Sequence, residues 1–283
     1  MRGAAVKIAR LPLARLTTIG VGGEAEVWTV ETLADLKEAT QAPYRVLGNG
    51  SNLLVSDAGV PERVIRLAGE FALWNPDLTG WVGAGALVPS LLQASARLGL
   101  SGLEGLHGVP AQVGGAVKMN AGTRFGEMAD ALEEVELFHD GGLHCYRPSE
   151  LGFRYRHSEL PEGSLVTRVK LKLTPSSEEA VRARIALVDE ARKGQPKRKS
   201  AGCAFKNPPG DSAGRLIDVR GLKGTTVGKA MISLEHGNFL VNLGGATAAE
   251  MYALIRKVQA VLPLEVEWEI WGEIKPAEAE VSR

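Results

Sequence analysis

Val46-Leu47-Gly48-Asn49-Gly50-Ser51-Asn52-Leu53-Leu54-Val55 sets a glycine-rich turn between two apolar runs, and its reading decides the fold. The pattern predicts a strand, a tight turn and a second extended segment. Gly48 and Gly50 allow positive φ and let the backbone approach a ligand with no Cβ in the way. Successive amide N–H groups in such a turn form an anion-binding concavity suited to a diphosphate. Asn49, Ser51 and Asn52 add neutral donors. Taken alone, the segment also reads as an ordinary surface turn.

A second glycine-rich loop follows: Gly108-Val109-Pro110-Ala111-Gln112-Val113-Gly114-Gly115-Ala116-Val117-Lys118-Met119-Asn120-Ala121-Gly122. The usual nucleotide fingerprints are absent. Leu53 stands where the dinucleotide pattern needs a third glycine opening a helix, and no Gly-x-x-x-x-Gly-Lys-Ser/Thr run occurs. A diphosphate held by turns rather than at a helix N-terminus implies a different nucleotide fold.

The 283 residues suffice for two domains with buried cores. The 33 basic and 33 acidic residues cancel, which argues against a general nucleic-acid or anionic-membrane role. Cys145 and Cys203 have no metal-ligand spacing, and the histidines are scattered, so no metal site is expected. No apolar run approaches the ~18 residues of a membrane span, and Arg2, Lys7, Arg10 and Arg15 interrupt the N-terminal stretch. A soluble, cytoplasmic protein with no evident obligate protein partner is expected.

Around the first loop, Glu24 to Val30 predicts a strand, Leu33 to Thr40 a helix and Tyr44 to Leu47 a strand. Pro89 to Leu98 predicts a helix stopped by Gly99. Leu165 to Leu173 predicts a strand with Val169, Leu171 and Leu173 inward and Lys170 and Lys172 outward. Pro175-Ser176-Ser177 marks the expected domain boundary. Ser176 and Glu179 have capping-box spacing for a helix with Val181, Ile185 and Val188 on its apolar face. Thr247 and Glu250 would cap a second helix, Ala248 to Leu262, with Met251, Leu254, Ile255, Val258 and Val261 facing the core. The expected class is α+β.

Four further segments carry candidate chemistry. Phe153-Arg154-Tyr155-Arg156-His157-Ser158 packs two guanidiniums around an aromatic, and arginine forks suit carboxylate and phosphate; a solvated strand end is the alternative. Arg192 to Lys199 puts 5 cations in 8 residues, to complement a helix C-terminus or to bind a diphosphate. Ser200-Ala201-Gly202-Cys203-Ala204-Phe205-Lys206-Asn207-Pro208 sets a thiol after a glycine, where a small core residue is the plain alternative. Leu264 to Glu273 alternates, predicting Glu265, Glu267 and Glu269 on one face and Val266, Trp268 and Ile270 on the other. Such a face either meets water or lines a pocket that tunes one carboxylate.

In order, these segments resemble the UDP-N-acetylenolpyruvoylglucosamine reductases over roughly residues 16 to 273. The resemblance also rests on Thr17-Thr18-Ile19-Gly20-Val21-Gly22-Gly23, Ala213-Gly214-Arg215-Leu216-Ile217-Asp218, Gly221-Leu222-Lys223-Gly224, Ser233-x-x-His236-x-Asn238-Phe239 and Glu267-Trp268-Glu269-Ile270-Trp271-Gly272. It implies a two-subdomain FAD-binding domain of the vanillyl-alcohol-oxidase type at 1–175, divided near 56, and a smaller α+β substrate domain at 176–283. Noncovalent FAD would rest on Gly48, Asn49, Gly50, Ser51, Asn52 and Leu53 and on Gly114, Gly115, Asn120, Ala121 and Gly122. NADPH would reduce it, and the flavin would pass hydride to C3 of an enolpyruvyl ether while a proton adds at C2. Arg156 and Glu267 would act on the substrate carboxylate and the developing enolate, with Tyr155, Lys193 and Asn207 on the sugar nucleotide. Cys203 stands where the family has its proton-donating serine. The short spacing from Ser158 to Arg192 implies the subgroup without an extra substrate-covering loop. Two other readings stay open: a flavin oxidase of the same fold, and a sugar-nucleotide-binding protein without catalysis.

Overall fold

Apolar side chains that alternate or recur at helical spacing bury themselves in two clusters, one in each of two compact units. The computed structural model describes residues 6–277; Arg2 lies outside them. The first unit comprises Trp28–Asn49 and Val64–Lys193 with residues 6–8, and the second comprises 9–27, 50–63 and 194–277. Packing thus divides the chain at 193/194 rather than 175/176, and gives two early stretches to the unit containing the C-terminal third.

In the first unit, the strand Glu24–Val30 ends beside Arg63–Leu67, which in turn neighbours Tyr44–Val46. Helix α1, Leu33–Ala39, starts at Thr32, whose side chain accepts from Asp35 N while Asp35 accepts from Thr32 N. Its Leu36 and Ala39 are buried with Val30 and Ile65. An antiparallel sheet follows in the order Gly142–Tyr146, Leu132–His139, Leu165–Leu171, Trp81–Gly83, with Val135 opposite Val169 and Val169 opposite Val82. The expected alternation holds at Val169 and Leu171, but the strand stops at Leu171.

Helix α2, Val88–Leu98, carries proline in its first turn and ends at Gly99 with φ 64°, as its sequence predicts. Part of the second glycine segment is helical: α3, Val113–Lys118, lies so close to the sheet that a Cβ at Gly114 would come 3.1 Å from the Ala84 Cβ. Helix α4, Glu178–Ala191, is capped by Ser177, which accepts from Ala180 N. Ser176, expected as the cap, instead donates its backbone N–H to Gly99 O at 2.7 Å, which fixes it one residue ahead of the helix start. Arg184 reaches Ser101 Oγ at 2.5 Å and Glu104 at 3.5 Å, which ties α4 to the first unit.

The second unit has a sheet in the order Thr226–Val227, Ala230–Ile232, Leu240–Asn242, and helix α5, Ala213–Val219, capped by Ser212. Helix α6, Ala248–Gln259, begins with the complete Thr247–Glu250 capping box. Met251, Leu254, Ile255 and Val258 are buried as predicted, whereas Val261 lies beyond the end of the helix and is exposed. Leu53–Val55, directly after the first glycine turn, pairs in parallel with Glu269–Trp271.

Candidate active site

In the first unit, the two glycine segments meet side by side. Asn49 Nδ2 donates to Pro110 O at 2.7 Å, and a Cβ at Gly48 would lie 3.5 Å from Gln112 Oε1. Asn49 therefore uses its amide to tie the segments together. Gly48 does not have positive φ; of the two turn glycines only Gly50 does, at 61°. Gly115 is the open position on α3: a Cβ there would meet nothing within 4 Å.

The end of the second segment is internally committed. Asn120 is 1% exposed, with φ 43°. Its Nδ2 donates to Glu127 Oε2 at 2.7 Å and to Arg154 O at 3.1 Å, and its Oδ1 accepts from Ala129 N at 3.0 Å. Ala121 donates its N–H to Ala116 O and accepts from Met128 N. Gly122 pairs with Glu127, and a Cβ there would lie 2.3 Å from Gly126 O, so the hairpin requires glycine.

Arg156 stands on the turn closed by reciprocal Arg154–His157 backbone hydrogen bonds, with φ 54°. A non-glycine residue held there carries strain that surrounding contacts must offset. Its Nη2 donates to Gly122 O at 2.6 Å, its Nη1 to Asn120 O at 3.4 Å, and Glu127 Oε1 lies 3.6 Å from Nη1. The guanidinium also sits over the half-exposed Tyr155 ring, 4.9 Å from its centroid. Lys193, at the end of this unit, is an exposed side chain paired with Glu190.

In the second unit, Gly50 admits no side chain: a Cβ would sit 2.4 Å from Leu16 O. Thr18 holds this turn by donating its hydroxyl to Gly50 O and Ser200 O, at 3.2 and 2.7 Å. Asn52 Nδ2 donates to Glu267 O at 3.1 Å, and Asn52 O accepts from Glu269 N at 3.0 Å. Its side chain therefore pins the Glu267 segment. Leu53 is buried, in register with Glu269. A Cβ at Gly202 would lie 3.8 Å from Ser51 O, which sets Ser51 beside the Cys203 segment.

Cys203 and Glu267 come together in this unit. Cys203 is bridged to Phe239 and Phe205 to Val266, both antiparallel, and Glu267 N donates to Ala204 O at 2.8 Å. Cys203 is half-buried rather than part of the core. The expected carboxylate face is broken by a bend at Trp268, because Glu267 N bonds Ala204 while Glu269 N bonds Asn52. Exposed Glu265 pairs with Lys206 at 2.7 Å, Glu269 accepts from the Trp271 indole at 2.9 Å, and of the three only Glu267 is half-buried. Asn207 Oδ1 accepts from Ala213 N at 3.0 Å, holding the start of α5.

Comparison with known proteins fits this arrangement. Residues 195–275 match the family model "UDP-N-acetylenolpyruvoylglucosamine reductase, C-terminal domain", and residues 25–145 match "FAD binding domain". A UDP-N-acetylenolpyruvoylglucosamine reductase of Thermus thermophilus is 71% identical over 266 residues, covering 94% of this chain and 100% of that protein. That of Deinococcus radiodurans is 56% identical, covering 96% and 99%. The crystal structure of the Thermus caldophilus enzyme superposes with a TM-score of 0.93 at 70% identity, covering 94% of this chain and 100% of that one. The chain belongs to the UDP-N-acetylenolpyruvoylglucosamine reductase family.

Within this reductase, the FAD-binding match spans the strand, turn and helix elements around Gly48 and Gly115. The open face at Gly115 and the neutral surroundings of Gly48 suit a cofactor that brings a diphosphate to backbone donors. Among the described residues no helix is long and apolar enough to cross a membrane, and no group of metal-ligating side chains occurs. Glu127 was not foreseen: it reaches Arg156 only through the short hairpin Gly122–Thr123/Gly126–Glu127, and sequence spacing gives no signal for it. Asn238 carries no recognisable chemistry in the sequence either, yet its Oδ1 and Nδ2 close both backbone groups of Phe205 at 2.9 and 2.8 Å. The signal for Asn238 lay in the motif Ser233-x-x-His236-x-Asn238.

Proposed function

We propose that this FAD-containing reductase uses NADPH to convert UDP-N-acetylglucosamine enolpyruvate to UDP-N-acetylmuramate, in peptidoglycan precursor synthesis in the cytoplasm, with Arg156, Cys203 and Glu267 acting on the enolpyruvyl group. Bound FAD supplies the hydride relay between the nicotinamide and the enolpyruvyl ether. Gly48, Gly50, Ser51 and Gly115 would hold the cofactor by backbone donors, and Gly114, whose N–H is committed to Ala84 O at 2.8 Å, would seat α3 against Ala84 behind that surface. Asn49, Asn52, Leu53, Asn120, Ala121 and Gly122 shape that surface through the internal bonds described above. The cofactor part extends over 1–175 and the substrate part over 176–283, a functional division distinct from the packing division and supported by the separate family matches at 25–145 and 195–275. The chain is of the subgroup without the additional substrate-covering loop.

Arg156 presents a fixed cation to the substrate carboxylate, and Glu267 steadies the charge that develops as C3 gains hydride. Fixed groups aimed at transition-state charge contribute most where water is excluded. The Cys203 Sγ–H gives its proton to C2, completing addition across the double bond, and the thiolate is reprotonated from solvent. A thiol is a stronger acid than the serine hydroxyl it replaces. Tyr155, Lys193 and the Asn207 amide nitrogen contact the sugar nucleotide. The observation that carries this reading is the Glu267 N to Ala204 O hydrogen bond at 2.8 Å, which sets the Glu267 strand against the Cys203 segment.

Stopped-flow measurement of the two half-reactions tests it. Cys203→Ala is expected to slow flavin reoxidation by the enolpyruvyl sugar nucleotide by about 10²–10⁴-fold, the usual contribution of a general acid. Cys203→Ser retains much of the rate, and reduction by NADPH survives in both. Wild-type reoxidation in Cys203→Ala would assign the proton to water and remove Cys203 from the chemistry. A purified protein that never oxidises NADPH in response to the sugar nucleotide would overturn the whole reading in favour of a flavin oxidase or a binding protein.

A further inference from the structure

We propose that Glu127 and Asn120 are positioning residues for Arg156, holding its guanidinium ready for the substrate carboxylate; the proposal rests on the role given to Arg156 above. Arginine has a long side chain with many rotamers, yet the side chain of Arg156 is only 15% exposed and is anchored at several points. Its Nη2 bonds Gly122 O at 2.6 Å and its Nη1 bonds Asn120 O at 3.4 Å. Both carbonyls belong to the strand and turn that carry Asn120 and Gly122. Across the same hairpin, in register with Gly122, stands Glu127, with Oε1 3.6 Å from Nη1.

Asn120 is the hub. Its buried amide donates from one nitrogen both to Glu127 Oε2 at 2.7 Å and to Arg154 O at 3.1 Å. Arg154 O lies on the turn that holds Arg156 at φ 54°. One side chain thus links the carboxylate facing the guanidinium to the backbone that aims it. The Glu127 carboxylate is held again by the Asp130 backbone N–H. A carboxylate rather than a neutral amide at 127 adds charge attraction, so the fork keeps its orientation before substrate arrives. Small displacements of a fixed group are costly in rate, with ~10²-fold for a shift of about 1 Å.

The test compares Glu127→Gln, Arg156→Ala and the double variant as flavin-loaded proteins. Glu127→Gln keeps an acceptor for Asn120 but removes the charge. It is expected to slow reoxidation by the enolpyruvyl sugar nucleotide about 10-fold or more, leave reduction by NADPH unchanged, and add nothing in the Arg156→Ala background. Calorimetric affinity for the product UDP-N-acetylmuramate should follow the same pattern, weakened by either single change and no further by both. Asn120→Asp, isosteric but repelling Glu127, gives a second route to the same link and should slow reoxidation more when Arg156 is present than in the Arg156→Ala background. Equal slowing by Glu127→Gln in both backgrounds would show that Glu127 acts independently, and wild-type rates in Glu127→Gln and Asn120→Asp would make both merely structural; either result overturns the positioning role. A wild-type rate in Arg156→Ala would instead remove Arg156 from the reaction, and the proposal with it.

Discussion

Asn238 is 1% exposed and closes both backbone groups of Phe205, while its own carbonyl accepts from Ala204 N at 2.8 Å. Replacing it with alanine would leave buried Phe205 N–H and C=O groups without their partners. Each such loss costs about 1–3 kcal/mol, so Asn238→Ala, which loses two, is expected to lose about 2–6 kcal/mol in urea unfolding with an unchanged m-value. A midpoint within experimental error of wild type would mean that water replaces the amide. Because Glu267 N bonds Ala204 O, the same change should also lower the rate of the substrate half-reaction. Arginine, thiol and carboxylate each bring a recognisable chemistry, but residue type alone does not separate Arg156 from Arg154 or Glu267 from Glu265 and Glu269; the family resemblance singles out Arg156, Cys203 and Glu267. The left-handed backbone of Arg156 was not legible, since only the turn closed by Arg154 and His157 imposes it.

At the scale of elements, helix α5 and the segment Ser233–Phe239 are locked through His236. A Cβ at Gly214 would lie 2.8 Å from His236 Cε1, so glycine makes room for the ring, which meets Phe239 edge-on at 5.0 Å. His236 Nδ1 accepts from Asn238 N at 3.2 Å and is therefore unprotonated. Burial, helped by the Lys223 charge, pushes the His236 imidazole below the ordinary histidine range. The unfolded chain binds this proton near ~6.5, the folded chain only at lower pH. The contribution of His236 to stability is thus complete above about 6.5 and is lost as pH falls through its folded-state value. Thermal melts between pH 8 and 5 should show a steeper loss for wild type than for His236→Gln; parallel curves would mean that the ring charges without cost. Helix ends set by local capping were readable: Thr247 and Glu250 cap α6 as expected. The alternation from Leu264 to Glu273 misled, because its backbone bonds two different partners, Ala204 and Asn52, and turns between them.

For the whole molecule, the cofactor is the coupling to test. The glycine segments contain no histidine or cysteine to which a flavin could be attached. The purified protein is therefore expected to release intact FAD on heating or acid treatment, and adding FAD to the apoprotein should raise its Tm with concentration, as ligand binding to the folded state requires. Release of FMN, or a Tm indifferent to FAD, would count against the assignment. The amino-acid sequence by itself determined the α+β class, the glycine turns, the helix stop at Gly99 and the helix start at Thr247, and it supplied the kinds of side chain that the proposed chemistry uses, because turn conformation, capping and functional-group chemistry are local properties. Only the tertiary structure decided that Ser177 rather than Ser176 caps α4, that residues 9–27 and 50–63 pack with the C-terminal stretch, and that Asn49, Asn52 and Asn120 spend their amides on protein partners. Those outcomes depend on which distant backbone group lies within hydrogen-bonding distance, and that is fixed by packing across the fold rather than by neighbours in the chain.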